Sequence, residues 1–152
     1  MKKVLFVCLG NICRSPMAQI VFENMVKENG LEAEFEVDSA GTEGYNEACN
    51  AGIHYGTKEV LKRKGICFSE HYSRKIRFRD YEYYDYIIAM DTENIYDILS
   101  IVGPDKDNKV KRLLDYTSNP RNIKDPWYTG NFDETYDDVV EGCSAFLKSI
   151  ID

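Results

Sequence analysis

A cysteine and an arginine separated by five residues, Cys8 and Arg14, are the side chains in this sequence best suited to phosphate chemistry. They lie between an apolar run, Val4 to Val7, and a stretch of helical periodicity that starts near Pro16. A short turn from a strand into a helix brings backbone N–H groups and a helix N-terminus together around an anion. A thiolate is a strong nucleophile, and a planar guanidinium can hold two phosphate oxygens. The pair therefore predicts attack on phosphorus by Cys8, with Arg14 as the clamp.

The loop between these residues is expected to bind phosphate through its backbone. The predicted phosphate-binding residues are Leu9, Gly10, Asn11, Ile12, Cys13, Arg14 and Ser15. Gly10 is predicted to ease the turn because glycine tolerates positive φ. Asn11 is expected to tie the loop to itself through its amide, and Ser15 to cap the helix or donate to the sulfur. The same cradle would stabilise a negative sulfur at its centre, so Cys8 is predicted to be largely thiolate at neutral pH.

Other interpretations of this loop stay open from the residues alone. Cys8 at the end of a buried strand is also an ordinary core residue, and Arg14 an ordinary solvated residue at a helix start. The pattern of two residues is weak by itself, and its position on a strand-to-helix turn is what favours chemistry. Cys13 could approach Cys8 closely enough for a protective disulfide, or it could simply pack the loop.

Alternating strands and helices are the pattern that must position this loop. Four strands are predicted, at Val4 to Val7, around Phe35 and Val37, at Tyr86 to Met90 and at Val110 to Leu114. Four helices are predicted, at Pro16 to Asn29, Tyr55 to Lys64, Glu93 to Ser100 after a cap at Asp91 or Thr92, and Asp133 to Ile151. This order predicts an α/β, doubly wound sandwich with helices on both faces, in which ligands bind at the carboxyl ends of the strands.

The composition predicts one domain over residues 1–152, and its net charge of −7 argues against a nucleic-acid partner. No apolar run is long enough for a membrane span, and the apolar start of the chain is too short for a signal peptide. Five cysteines, an odd number without zinc-type spacing, favour free thiols in a reducing cytoplasm. Because the chain is acidic overall, a phosphate dianion must be attracted by groups close to the binding site and not by the net charge.

With these residues in place, the sequence resembles the low-molecular-weight protein tyrosine phosphatases. The resemblance covers nearly the whole chain. The segments that carry it are Cys8 to Pro16, Asp38 to Gly41, Tyr84 to Asp91 and Asp125-Pro126-Trp127-Tyr128. It implies a four-stranded parallel sheet and hydrolysis of phosphotyrosine through a phosphocysteine intermediate, with no metal and no cofactor. It also implies that Asn11, Ser15, Ser39 and His71 support the loop by hydrogen bonds, whereas His54 has no match.

The resemblance assigns Asp125 as the general acid, and the chemistry requires one because a phenolate leaves slowly unless it is protonated. Pro126 restricts Asp125 to extended backbone, and residues 122–131 lack helical or strand periodicity, as expected of a flap over a cleft. An ordinary Asp-Pro turn is the alternative. Asp38, Asp91 and Asp115 also follow strands, although Asp91 suits a helix cap better.

A deep slot lined by flat side chains would admit phosphotyrosine and exclude phosphoserine. Trp127 and Tyr128 are predicted to form one wall, and Tyr45 and Ile12 the other. Relatives that act on phosphoarginine have a smaller polar residue at the position of Ile12, so Ile12 favours phosphotyrosine. Residues 45–56 lack the proline that many family members have there, and the conformation of this rim stays open.

Three rival functions are weighed against this hypothesis. A thiol-dependent arsenate reductase would need relay cysteines between His71 and Asp91, where none occurs. A cysteine-phosphorylated carrier would need neither Arg14 nor Asp125. A non-catalytic phosphotyrosine-binding or redox module would not need Cys8, Arg14 and Asp125 together. The expected partners are phosphotyrosine proteins and a tyrosine kinase, with the chain a monomer or a weak dimer.

Overall fold

The computed structural model describes residues 1–151, so the final residue of the predicted 1–152 domain, Asp152, lies outside the described residues. Four parallel strands form one sheet in the order β2-β1-β3-β4. The strands are β1 (Lys2–Cys8), β2 (Phe35–Gly41), β3 (Tyr86–Ala89) and β4 (Val110–Arg112). The fold class predicted from the sequence is confirmed.

Seven helices connect and flank these strands. They are α1 (Arg14–Glu28), α2 (Tyr45–Ala48), α3 (Tyr55–Arg63), α4 (Asp80–Tyr83), α5 (Thr92–Val102), α6 (Pro126–Thr129) and α7 (Phe132–Ile150). Two 3₁₀ turns, Glu32–Glu34 and Leu113–Tyr116, complete the chain. Within residues 1–151, no helix combines the length and the apolar character that crossing a membrane requires.

Alternate side chains of β1 bury themselves on opposite faces of the sheet. Val4 and Phe6 join the larger core, which α1 and α7 cover, whereas Leu5 and Val7 join a smaller core beneath α5. Both cores exclude water from the sheet, which explains why β1 is apolar on every residue from Val4 to Val7. The buried strand is a rigid base for the loop that follows it.

A strand end, a helix cap and a loop differ from their predictions, each for a local physical reason. The predicted strand Val110 to Leu114 ends at Arg112, because Arg112 N–H donates to the Asp115 carboxylate and the chain turns into 3₁₀ geometry. Helix α1 begins at Arg14, so Ser15 is inside the helix and is not its N-cap. Residues 122–131 contain the short helix α6, which begins at Pro126 because Asp125 caps it by accepting from Trp127 N–H.

The parallel register brings three strand ends to one edge of the sheet. Cys8 at the end of β1 pairs with Gly41 at the end of β2, and Val7 pairs with Ala89 at the end of β3. Asp91 lies just beyond β3 and caps α5 by accepting from Asn94 N–H at 2.8 Å. The loop from Cys8 to Arg14 therefore meets the segments after β2 and β3, as the strand-end rule predicts.

Candidate active site

Cys8 points its sulfur into the centre of the loop that leads to α1. Cys8 Sγ lies 3.0 Å from Ser15 Oγ and 3.3 Å from the backbone N of Asn11, and the residue is only 3% exposed. Ser15 is free to make this contact because it is not used as the helix cap. These two donors favour negative charge on the sulfur.

Asn11 fixes the shape of the loop. Its φ of 56° places it in the left-handed region, whereas Gly10 has no positive φ, so the predicted role of Gly10 is wrong. Asparagine tolerates this conformation, and four hydrogen bonds hold it here. Its amide N donates to Ser15 Oγ and Ser39 Oγ, and its amide O accepts from His71 Nε2 and the backbone N of Arg74.

The direction of donation can be followed from His71 to the sulfur. Asn11 Oδ1 only accepts, so the proton of the His71 ring is on Nε2, which lies 2.9 Å away. Burial lowers the pKa of His71, which keeps the ring neutral. Since Ser15 Oγ accepts from Asn11 at 2.8 Å, its own proton can point to Cys8 Sγ. The structure thus brings together Ser39, Asn11, Ser15 and His71, the four residues that the family resemblance implied as supports of the loop.

Arg14 is held by two carboxylates and a carbonyl. Its Nη1 donates to Asp91 at 2.6 Å and to the carbonyl of Ile123 at 2.8 Å, and its Nη2 lies 3.4 Å from Asp125 Oδ2. Burial opposes the charge of this 2% exposed residue, but the negative sulfur of Cys8 and the bond to Asp91 outweigh it and raise the pKa of Arg14. The guanidinium is therefore charged and fixed in orientation.

Cys13 differs from Cys8 although both lie in the loop. Burial, with the nearby charges of Cys8 and Asp125, raises the pKa of Cys13 to about 12. Its carbonyl accepts from Thr57 Oγ1, which anchors the end of the loop to α3. Cys13 is consequently a neutral thiol, and the disulfide with Cys8 stays a prediction.

One pocket joins these groups to the surface. Residues 8–14 form its floor, with Glu43, Tyr45 and Asn46 on one side and Asp125, Trp127 and Tyr128 on the other. The four predicted rim residues Ile12, Tyr45, Trp127 and Tyr128 all line it. Asp125 faces the floor, with Oδ1 accepting from Trp127 N–H at 3.0 Å and Oδ2 toward Arg14. A nucleophile, a cation and a carboxyl group thus share one opening.

Sequence reasoning missed three contributors to this site. Asn46 and Ser73 both donate to the carbonyl of Gly10, and nothing in their local sequence indicates this. Asp91, predicted as a cap and as a competing acidic candidate, also orients Arg14, and its place after β3 was the available signal.

The other two acidic candidates have structural partners elsewhere. Asp38 pairs with Arg74, and Asp115 pairs with Arg112. Among residues 1–151, no three His, Cys, Asp or Glu side chains are grouped as a metal ion would require.

The chain is similar to known proteins over nearly its whole length. A family model described as low molecular weight phosphotyrosine protein phosphatase matches residues 3–152. The low molecular weight protein-tyrosine-phosphatase YfkJ of Bacillus subtilis is 45% identical over 152 residues, spanning 99% of this chain and 96% of that protein. The crystal structure of YfkJ superposes with a TM-score of 0.92 at 44% identity, covering 99% of this chain and 94% of that one.

Two more distant relatives are a human phosphotyrosine protein phosphatase and a Drosophila arginine phosphatase. The human low molecular weight phosphotyrosine protein phosphatase is 40% identical over 152 residues, spanning 97% of this chain and 94% of that protein. The crystal structure of a Drosophila arginine phosphatase superposes with a TM-score of 0.85 at 31% identity, covering 100% of this chain and 99% of that one.

Proposed function

This chain belongs to the low molecular weight phosphotyrosine protein phosphatase family, and from that premise we propose the role of each residue in its reaction. The enzyme is a protein tyrosine phosphatase that works through a phosphocysteine intermediate. One observation supports the residue roles above all: Cys8, Arg14 and Asp125 line the same pocket, and Cys8 Sγ lies at hydrogen-bond distance, 3.0 Å, from Ser15 Oγ.

The first step transfers the phosphoryl group to Cys8. The thiolate attacks phosphorus, an S–P bond forms, and the bond from phosphorus to the tyrosine oxygen breaks. Asp125, as the carboxylic acid, gives its proton to the departing oxygen so that neutral tyrosine leaves. Arg14 and the loop N–H groups hold the three phosphoryl oxygens as their charge spreads in the transition state.

The second step hydrolyses the phosphocysteine. Asp125, now a carboxylate, accepts a proton from water as the water oxygen attacks phosphorus. The S–P bond breaks, inorganic phosphate forms, and the sulfur departs as a thiolate. Ser15 stabilises this leaving thiolate through the hydroxyl that contacts Cys8 Sγ.

The walls of the pocket support phosphotyrosine as the substrate. Tyr45, Trp127 and Tyr128 are 70%, 61% and 78% exposed, so their rings stand above the floor and can contact an aromatic side chain. Ile12 adds an apolar contact near the phosphate, where a guanidino group would prefer a polar neighbour. These contacts favour phosphotyrosine over phosphoarginine.

The remaining assignments follow from the chemistry of this reaction. The protein partners are phosphotyrosine-containing proteins and the tyrosine kinase that supplies them, and one chain is sufficient for the pocket. A catalytic thiol must stay reduced, and five cysteines are an odd number, so the cytoplasm suits this enzyme.

The test compares wild type with Cys8→Ser and Asp125→Ala on p-nitrophenyl phosphate, a phosphotyrosine peptide and a phosphoarginine peptide. We expect Cys8→Ser to abolish turnover. Asp125→Ala should reduce kcat/KM for the tyrosine peptide by about 10²-fold or more, and reduce it less for p-nitrophenyl phosphate, whose phenolate needs less protonation. Asp133→Ala changes an exposed acidic residue nearby; it is the control and should retain activity.

Two outcomes would contradict these roles. Full activity in Cys8→Ser would remove the nucleophile assignment. A higher kcat/KM for the phosphoarginine peptide than for the tyrosine peptide in wild type would move the substrate class to that of the Drosophila relative.

A further inference from the structure

His54 connects the phosphate loop to α3 through its backbone and its side chain. Its N–H donates to the carbonyl of Ile12 at 2.8 Å. Its Nδ1 accepts from the N–H of Gly56 at 3.0 Å and so caps α3. The acceptor role of Nδ1 requires a neutral ring with its proton on Nε2. Burial lowers the pKa of His54, which agrees with that state.

The ring of His54 also contacts three aromatic rings from two sides. It stacks on Tyr55 at 4.5 Å between centroids and on Phe132 at 5.1 Å, and it makes a T-shaped contact with Trp127 at 5.7 Å and 80°. Phe132 is the first residue of α7, and Trp127 belongs to α6. The imidazole therefore lies between the phosphate loop and the loop that carries Asp125.

The fit around this ring is tight. A Cβ placed on Gly56 would lie 2.5 Å from the Phe132 ring, so glycine is needed for the two segments to approach. By contrast, Trp127 is 61% exposed, so much of its side chain faces solvent. The T-shaped contact with His54 joins the Trp127 ring to the N-cap of α3.

A movement of Trp127 would reach the catalytic carboxyl directly. The N–H of Trp127 donates to Asp125 Oδ1 at 3.0 Å, which sets the rotation of that carboxyl group. The other oxygen, Oδ2, is the one that faces Arg14 and the pocket. Displacing α6 would therefore change the distance between Asp125 and the leaving oxygen without disturbing Cys8.

We propose that His54 is a positioning residue that sets the acid loop relative to the phosphate loop and so determines how well Asp125 protonates the leaving group. The inference rests on the proposed role of Asp125 as general acid. His54 does not touch the reacting atoms, and its effect passes through Trp127.

The test uses His54→Asn, whose side-chain oxygen can still accept from Gly56 N–H but which lacks the ring. Phe132→Leu is a second variant that removes the opposite stacking partner. The substrates are phenyl phosphate and p-nitrophenyl phosphate, which are similar in size but differ in how much the leaving oxygen needs a proton. We expect kcat/KM to fall by roughly tenfold for phenyl phosphate and by less than about threefold for p-nitrophenyl phosphate in both variants.

A control separates positioning from general loss of packing. Tyr116→Leu removes an aromatic contact with Phe146 at 4.9 Å in the core, away from the acid loop, and should lower stability without separating the two substrates. Equal losses on both substrates in His54→Asn, or no loss, would overturn the inference. If Asp125→Ala also fails to separate the substrates, the general-acid assignment itself is wrong, so the two failures are distinguishable.

A readout independent of turnover is available because Trp127 is the only tryptophan in the chain. Time-resolved fluorescence anisotropy therefore reports on the acid loop alone. We expect faster local depolarisation in His54→Asn than in wild type or Tyr116→Leu. Unchanged anisotropy in His54→Asn would overturn the inference.

Discussion

Replacing Asp91 by asparagine tests whether this residue holds the phosphate clamp in place. Arg14 and Asp91 form a 2.6 Å ion pair with side chains only 3% and 19% exposed. Breaking a buried pair costs about 3–5 kcal/mol, because a charge is left without its partner. Arg14 keeps the carbonyl of Ile123 and the longer contact with Asp125, so we expect a loss somewhat below that range, about 2–3 kcal/mol.

Asparagine is the informative substitution because it preserves the shape of Asp91 and the oxygen that caps α5. Equilibrium unfolding in urea gives the free energy of unfolding. With a slope of about 2 kcal/mol per molar urea, the midpoint should fall by about 1–1.5 M. The matched control is Asp115→Asn, which also breaks an arginine pair but at side chains that are 22% and 31% exposed, and which should cost about 1 kcal/mol or less.

Activity provides the second half of this test. In the proposed mechanism Arg14 binds the phosphoryl oxygens, so its misplacement should lower kcat/KM by about tenfold or more, equally for phenyl phosphate and p-nitrophenyl phosphate. This pattern differs from the unequal losses expected at His54. If Asp91→Asn and Asp115→Asn shift the urea midpoint equally and both keep full activity, Arg14 does not depend on Asp91 and the reasoning fails.

Three further predictions concern packing, pH and thiol reactivity. In Gly142→Ala the new Cβ would lie 2.5 Å from Cγ of the buried Leu113. Urea unfolding should therefore show the free energy of unfolding lowered by about 1 kcal/mol, with kcat/KM unchanged. A stabilised variant would contradict the close packing. Burial lowers the pKa of His71 in the folded state, so the unfolded chain binds its proton more readily and stability should fall as pH drops below about 6.5, less steeply in His71→Gln. Equal slopes for wild type and His71→Gln between pH 7.5 and 5.5 would refute that account. Because the pKa of Cys13 is raised to about 12, iodoacetamide at pH 7.5 should leave Cys13 unmodified in peptide mass spectra while Cys8 is alkylated, and comparable labelling of both would contradict the assignment.

The sequence predicted the sheet because its signals are local. The apolar run from Val4 to Val7 indicates a strand buried on both faces, and the periodicity after Pro16 indicates a helix that starts within the same turn. Together they located the loop at a strand end. The cap at Asp91 was also predicted, because its type and position are sufficient to indicate a helix start.

Features that depend on tertiary contacts could not be predicted in the same way. Ser15 is a residue type that often caps helices, but its hydroxyl instead contacts Cys8 Sγ and accepts from the amide N of Asn11. Asn11 adopts the left-handed conformation that glycine usually takes, because partners as distant as His71 hold its amide. The ring contact between His54 and Trp127 joins residues more than seventy positions apart, and no sequence pattern indicates it.

The charges around the pocket explain how an acidic chain can bind a phosphate dianion. The positive charge of Arg14 is already opposed by the carboxylates of Asp91 and Asp125. Side chains alone therefore do not attract the substrate. We expect the attraction to come from the N–H groups of the loop between β1 and α1 and from the N-terminus of α1, whose dipoles favour an anion at short range.

The proposed reaction also needs a proton for the leaving group. Asp125 is the carboxyl group that lines the pocket with Cys8 and Arg14, so it is the group that we propose as the donor. In the proposed mechanism Asp125 protonates the leaving tyrosine oxygen in the first step, and the resulting carboxylate accepts a proton from water in the second. One carboxyl group beside Arg14 is therefore sufficient for both proton transfers.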